Sequence, residues 1–276
     1  MSNVALWCRR VNRYGEGPVR PLTSFAGGTL FGARHGHGRP SVLALHGWQR
    51  SHRDFDAVLD GFDAIALDLP GFGATPAPPA AWSTSEYAAA VEPVLEEMAE
   101  TVVVLGHSFG GRVSVHLAAA HPDRVRAQIL TGVPLTRAPG PRRRAPRTFR
   151  AGRVLHRAHL VSDGRMEALR MKYGSTDYRN AVGVLRPILV KAVNEDYLGP
   201  LSAFPNLVEL VWGEVDDEVP PVVAEIAVES CTRGHLELVP GGGHLTPQTA
   251  AAALRSVILR CQSADGTAPT TTQERF

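Results

Sequence analysis

Thr101-Val-Val-Val-Leu-Gly106-His107-Ser108-Phe109-Gly110, running on through the helical pattern that ends at Ala120, is the stretch whose reading decides the fold. Thr101–Gly106 is a continuous, largely β-branched run, the signature of a strand buried on both faces. Phe109–Ala120 has the character of a helix. Between them lies Gly-x-Ser-x-Gly. A strand, a sharp turn and a helix form the setting in which a serine side chain projects from a strained apex. Glycines two positions to either side let backbone and helix approach closely. A tight structural turn is the competing reading, and the strand–helix context favours a nucleophile.

The same alternation extends outward in both directions. Ser41–His46, Ala64–Asp68, Arg126–Thr131, Leu207–Trp212 and His235–Val239 read as further strands. Upstream, Val19–Phe25 and Thr29–Ala33 read as a two-strand entry joined by Gly27-Gly28. Ser83-x-x-Glu86 is a capping box that predicts a helix through about Glu100, kinked at Pro93. Leu245–Cys261 predicts another helix, and Val222–Ser230 carries a fainter helical pattern. Strands alternating with helices of this length predict an α/β fold with a mostly parallel sheet.

Residues 134–200 break the rhythm. They open with Pro134, Pro139, Pro141 and Pro146, then carry helical patterns at Arg165–Lys172 and Gly183–Asn194. We read them as a helical cap inserted into a core made of residues 1–133 and 201–262, with 263–276 a disordered tail.

The 276 residues hold 29 basic and 27 acidic side chains, a formal charge of +2. That near-neutral total conceals a split. The cap carries twelve arginines and two lysines against five acids, a surplus of nine, so the remainder sums to seven negative charges. The split predicts that salt weakens cap–core contact. No apolar run approaches the ~18 residues of a membrane span, and the first ten residues lack the apolar stretch of a secretory signal. Cys8, Cys231 and Cys261 are odd in number and lack metal-ligand spacing, so neither a disulfide framework nor a zinc site is expected. Together these features point to a cytoplasmic protein that does not engage a membrane. His35-x-His37, and His156-x-x-His159 near Asp163, read as solvated side chains rather than metal ligands. The basic run from Pro139 to Arg147 lacks interleaved aromatics, so no nucleic-acid partner is expected.

A serine nucleophile needs a base, because its hydroxyl is a poor nucleophile at neutral pH. Among eleven histidines, His244 stands at the end of Val239-Pro-Gly-Gly-Gly-His244, a Gly-rich loop just past the last strand. The base needs a carboxylate to fix its tautomer. Val211-Trp-Gly-Glu-Val-Asp216-Asp217-Glu218-Val-Pro220 supplies several after the penultimate strand. Glu214, Asp216, Asp217 and Glu218 are the four candidates. Serine, acid and histidine fall in the order 108, 216, 244.

These features resemble the α/β-hydrolase superfamily, in its serine branch with a helical cap. Leu45-His46-Gly47-Trp48 is similar to that family's oxyanion loop, and Asp68-Leu-Pro-Gly71-Phe-Gly73 to its Asp-x-x-Gly-x-Gly turn. Gly106–Gly110 matches the elbow, Gly242-Gly-His244 the histidine loop and Gly213–Pro220 the acid loop, which aligns best at Asp216 with Asp217 and Glu218 as alternatives. The resemblance covers roughly residues 20–262 and implies an eight-stranded-type, mostly parallel sheet with helices on both faces. It further implies that Ser108 attacks a carbonyl carbon, that His244 shuttles the proton and that Asp216 orients His244. The backbone N–H groups of Trp48 and Phe109 would bind the oxyanion, and Asp68 would tie its own turn. Serine at the elbow excludes the alkyl-enzyme chemistry of the dehalogenase and epoxide hydrolase branches, which use a carboxylate there.

The resulting expectation is a cofactor-free, metal-free serine hydrolase cleaving an ester or amide of a small molecule, acting as monomer or homodimer. C–C bond hydrolysis or perhydrolysis on the same triad is the alternative chemistry, and a ligand-binding receptor the non-enzymatic one. The cap sequence is polar for a lipase-type lid. Arg179, Arg186, Lys191 and Asn194 are therefore expected to present a cationic surface to a polar or anionic acyl group. His46 and His107, in the oxyanion loop and the elbow, are expected on the substrate side as well. The competing reading for the cap cations is that they tie the cap to an acidic core.

Overall fold

A computed structural model describes residues 20–139 and 146–263. Eight strands form one sheet: β1 Leu22–Phe25, β2 Leu30–His35, β3 Val42–Leu45, β4 Ala64–Asp68, β5 Val102–His107, β6 Val125–Thr131, β7 Leu207–Gly213 and β8 Arg233–Val239. Their order across the sheet is β1-β2-β4-β3-β5-β6-β7-β8. β1 and β2 pair antiparallel, as do β2 and β4, and the other five pairings are parallel. The mostly parallel eight-stranded sheet inferred from sequence is therefore present, with the entry hairpin forming its antiparallel edge.

The continuous apolar runs are explained by burial on both faces. Along β5, Val102 and Val104 enter one core cluster while Val103 and Leu105 enter the other. β3 divides in the same way, Leu43 and Leu45 against Val42 and Ala44. A period of two with both faces apolar needs cover on each side. Helices α1 (Thr84–Val91) and α2 (Phe109–Ala120) cover the first face, and the long C-terminal helix Ala251–Ser263 covers the second.

The inserted region between β6 and β7 is helical: α3 Arg147–Arg157, α4 Asp163–Tyr173, α5 Thr176–Asn180, α6 Leu185–Ala192 and α7 Leu198–Ala203. After β7 come α8 Val222–Ser230, α9 Thr246–Thr249 and α10 Ala251–Ser263. Two helix expectations need correction. The capping box forms, with Glu86 N donating to Ser83 Oγ at 3.2 Å and Ser83 N to the Glu86 carboxylate at 2.6 Å. The α-helix nevertheless ends at Val91, and Glu92–Glu97 tightens into a 3₁₀ segment with Pro93 in its first turn. Pro93 has no N–H to donate back to an i−4 carbonyl, so the α ladder stops there. The Leu245–Cys261 helix is likewise split at Ala250, whose φ of −131° lies outside the helical region. The proposed tail lies outside the described residues, apart from Ser263 at the end of α10, as does most of the proline- and arginine-rich run at 139–147. Among the described residues no helix is long and apolar enough to cross a membrane.

The described inserted helices meet the residues before α1 and α1 itself in a polar contact. Its polar centre is Glu195, whose carboxylate accepts from Thr84 N at 3.2 Å, from the Thr84 hydroxyl and from Tyr197 OH at 3.1 Å. Lys191 reaches the Ala81 carbonyl and lies 4.0 Å from Glu86, both side chains half exposed. Among the described residues, hydrogen bonds with one loose and exposed ion pair dock the inserted helices. Glu195→Ala is expected to cost about 1.5–3 kcal/mol, the range for hydrogen bonds to a charged group, read as a lowered urea midpoint. Added salt should leave the wild-type midpoint nearly unchanged, contrary to what net charges alone suggest.

Candidate active site

The strand order reverses between β4, β3 and β5, so the carboxyl ends of β3 and β5 open a crevice at the topological switch point. His46-Gly47-Trp48 leaves one end and Ser108 the other. Ser108 sits at φ 49°, ψ −112°, a left-handed conformation that costs an L residue of order 1–3 kcal/mol. Close packing supports the strain. A Cβ on Gly106 would lie 2.5 Å from Gly111 Cα, and one on Gly110 would lie 2.1 Å from the Leu45 carbonyl oxygen. The two glycines of the motif are thus required by contact with neighbouring backbone. Ser108 N donates to Thr131 O at 3.0 Å and Gly110 N to His46 O at 2.9 Å, which fixes the turn between β3 and β6.

Asp216 is buried and both of its oxygens are used. Oδ1 accepts from Glu218 N at 3.0 Å and Val219 N at 2.8 Å, and Oδ2 lies 2.9 Å from His244 Nδ1. Asp217 and Glu218 are exposed, so of the three candidate acids Asp216 is the one paired with His244 Nδ1. The loop is pinned from below by Trp212, whose indole N–H donates to Val219 O at 2.8 Å. Burial pulls the His244 pKa down, but the hydrogen bond and charge of Asp216, with Glu218 and Asp177 beyond, outweigh it and raise the value above 6.5. Glu218 Oε2 lies 3.7 Å from the other ring nitrogen, Nε2.

Ser108, His244, Trp48 and Phe109 line one cavity of about 910 Å³ between the sheet edge and the inserted helices. Trp48, Phe72, Phe109 and Tyr87 pack edge to face beside it, with centroids 4.9–6.1 Å apart. Among the described residues, the backbone amides of Trp48 and Phe109 have no backbone acceptor. Phe109 is the first residue of a twelve-residue helix, where the dipole and the free N–H favour negative charge.

Several residues expected near substrate lie elsewhere. His46 is fully buried. Its Nε2 accepts from Leu69 N at 3.0 Å, so Nδ1 carries the proton toward Gly47 O at 2.7 Å, and burial lowers its pKa to about 4. His107 is also buried, with a pKa lowered to about 3 chiefly by desolvation; its Nε2 meets the His244 carbonyl at 3.0 Å. Both rings brace loops, and neither lines the cavity. Arg186 is held by Glu167 at 2.9 Å and Ala181 O at 2.8 Å, and Arg179 by Gly174 O at 2.8 Å and Thr176 Oγ at 3.1 Å. Lys191 is held by Ala81 O. These cations are captured by nearby carbonyls, by Glu167 of a neighbouring inserted helix or by the Ala81 carbonyl, and none of the three lines the cavity. Only Asn194 of the four reaches the lining, while its amide bonds Val190 O at 2.6 Å. Asp68 accepts from His52 N and Nδ1 and from Ala74 N, at 2.8–2.9 Å, and so ties its turn.

Two positions escaped the sequence reading. Arg112, one helical turn beyond Ser108, lines the cavity; its i+4 spacing was the available signal. Gly132, at φ +58°, lies under the histidine, where an added Cβ would be 2.9 Å from His244 Cε1 and 3.0 Å from Nδ1. Its partner arrives from more than a hundred residues away, which no local pattern reveals. Gly132→Ala is expected to displace the imidazole and lower kcat/KM by ~10²-fold, since small misplacements cost that much. The circular dichroism spectrum should stay native.

The chain matches a model of the alpha/beta hydrolase family over residues 42–257. It is 32% identical over 143 residues to an esterase of Mycobacterium tuberculosis, an alignment covering 48% of this chain and 46% of that protein. It is 35% identical over 94 residues to a pimeloyl-[acyl-carrier protein] methyl ester esterase of Neisseria meningitidis, covering 33% of this chain and 35% of the relative. The aligned regions thus span less than half the length of either curated relative. Among solved structures it is similar to an esterase from Thermogutta terrifontis, with a TM-score of 0.61 at 19% identity over 88% of this chain and 99% of that one. The family match runs from β3 to α10 and takes in the strand ends that carry Ser108, Asp216 and His244, and on that extent the chain belongs to the alpha/beta hydrolase family.

Proposed function

We propose that the protein is a serine hydrolase that cleaves a carboxylic ester through an acyl-enzyme. The observation that carries this reading is His244, held by Asp216 at 2.9 Å through Nδ1 in the cavity that Ser108 enters from its strained turn. With Nδ1–H donated to the carboxylate, Nε2 is left as the acceptor. Nε2 takes the Ser108 proton as Oγ attacks the carbonyl carbon, and the Trp48 and Phe109 amides receive the oxyanion. Collapse of the intermediate expels the alcohol, which takes the proton back from Nε2. Water then attacks the acyl-enzyme by the same route, releasing the acid and free Ser108. The curated relatives named as esterases support an ester over an amide.

The test is labelling with a fluorophosphonate, together with release of p-nitrophenol from a short-chain ester. One adduct per chain on Ser108, lost in His244→Ala, is expected. Folded protein that neither labels nor turns over ester would overturn the hydrolase reading and favour a ligand receptor.

A further inference from the structure

Arg112 is a buried cation on the cavity wall. It is only 8% exposed, yet among the described residues its guanidinium donates no hydrogen bond and has no carboxylate within ion-pair distance. A guanidinium carries five N–H donors and stays charged, so burying it without acceptors is costly. Its surroundings offer little. Cζ stands 5.2 Å from the Tyr197 ring centroid, a cation–π contact that leaves the N–H groups unfilled. The one carboxylate that acts on it, Glu195, is already engaged by Thr84 and Tyr197. Burial pulls the Arg112 pKa down.

The cavity is polarised. Its acids, Asp177 and Glu218, are the ones that act on His244. Arg112 lies in the first turn of α2, its backbone N–H donating to Ser108 O at 3.3 Å, and both side chains line the same cavity. Trp48 also lines the cavity, with its own indole N–H buried behind the wall and without an acceptor. A guanidinium without acceptors on the wall that also holds the reacting serine is the complement of an anionic oxygen group.

Building on the hydrolase reading, we propose that the substrate is a short ester whose far end carries a carboxylate, seated on Arg112. A planar carboxylate takes a bidentate pair from a guanidinium, and it would supply the acceptors that the fold withholds. This seats the anion on a residue of α2, while Arg153 and Arg170 of the inserted helices line the same cavity, Arg170 beside Glu167 at 3.5 Å.

The test compares chain-matched methyl esters in a pH-stat: monomethyl adipate against methyl hexanoate, with 4-acetoxybutyrate placing the carboxylate on the alcohol side. At least a tenfold higher kcat/KM is expected for one of the carboxylates over the neutral ester, collapsing to near unity in Arg112→Met and partly kept in Arg112→Lys. Calorimetric titration of the wild type with adipate and with adipamide gives a readout independent of turnover and of how the variants fold. Adipate should bind and adipamide should not. Turnover of methyl hexanoate with no carboxylate preference and no adipate binding would overturn the proposal while leaving the hydrolase reading intact. Adipate binding without fluorophosphonate labelling would overturn the hydrolase reading, and the ester substrate with it, while leaving Arg112 a carboxylate site.

Discussion

Replacing Ser108 with alanine is expected to lower kcat for a p-nitrophenyl ester by about 10⁵–10⁶-fold and to abolish fluorophosphonate labelling, because loss of the nucleophile in such a triad costs as much as loss of the whole set. The strain at φ 49° is borne by the backbone, and alanine inherits it without adding bulk. The thermal midpoint should therefore stay close to that of the wild type. Residual hydrolysis of ~10³–10⁴ over water would mark the contribution of the Trp48 and Phe109 amides and of binding alone. A variant that keeps wild-type turnover would remove Ser108 from the chemistry and end the acyl-enzyme reading.

Asp216→Asn should lower kcat by ~10⁴-fold with the fold intact, since an amide at this position presents the histidine with the wrong tautomer. The pH profile supplies a separate check. His244 acts as base only when neutral, so kcat/KM should be full above its pKa and fall as pH drops through it. In the wild type that pKa lies above 6.5: burial opposes the charge, and the hydrogen bond and charge of Asp216 more than reverse it. Removing the Asp216 charge leaves burial less opposed, so the acid limb should move to lower pH in the Asn variant. A limb that stays in place would show that Asp216 does not govern the base.

Much of this site could be read from the chain because its parts are local. The Gly106–Gly110 turn announces itself through glycines that the structure shows pressed against Gly111 Cα and the Leu45 carbonyl. Strands β3 to β7 were visible as apolar runs because they are buried on both faces, a property each segment carries by itself. What misled was charge. Arg179 and Arg186 looked like substrate contacts when counted in sequence, but each finds a carbonyl or an acid within its own helical region. His46 and His107 looked like site residues by position in their motifs, yet both rings turn inward to hold loops.

The sequence by itself determined the alternation of strands and helices, the identity of the strained serine and the chain order of serine, acid and histidine. All of these follow from local rules, namely the side-chain period, turn chemistry and glycine at points of close approach. Tertiary structure alone decided which of three neighbouring acids meets His244, for Asp216 is chosen by the fold of its loop over Trp212. It likewise decided that Gly132 underlies the imidazole and that Arg112 faces the cavity unpaired. Pairing is a relation between distant segments, and whether a charge is spent or free depends on neighbours brought to it only by folding.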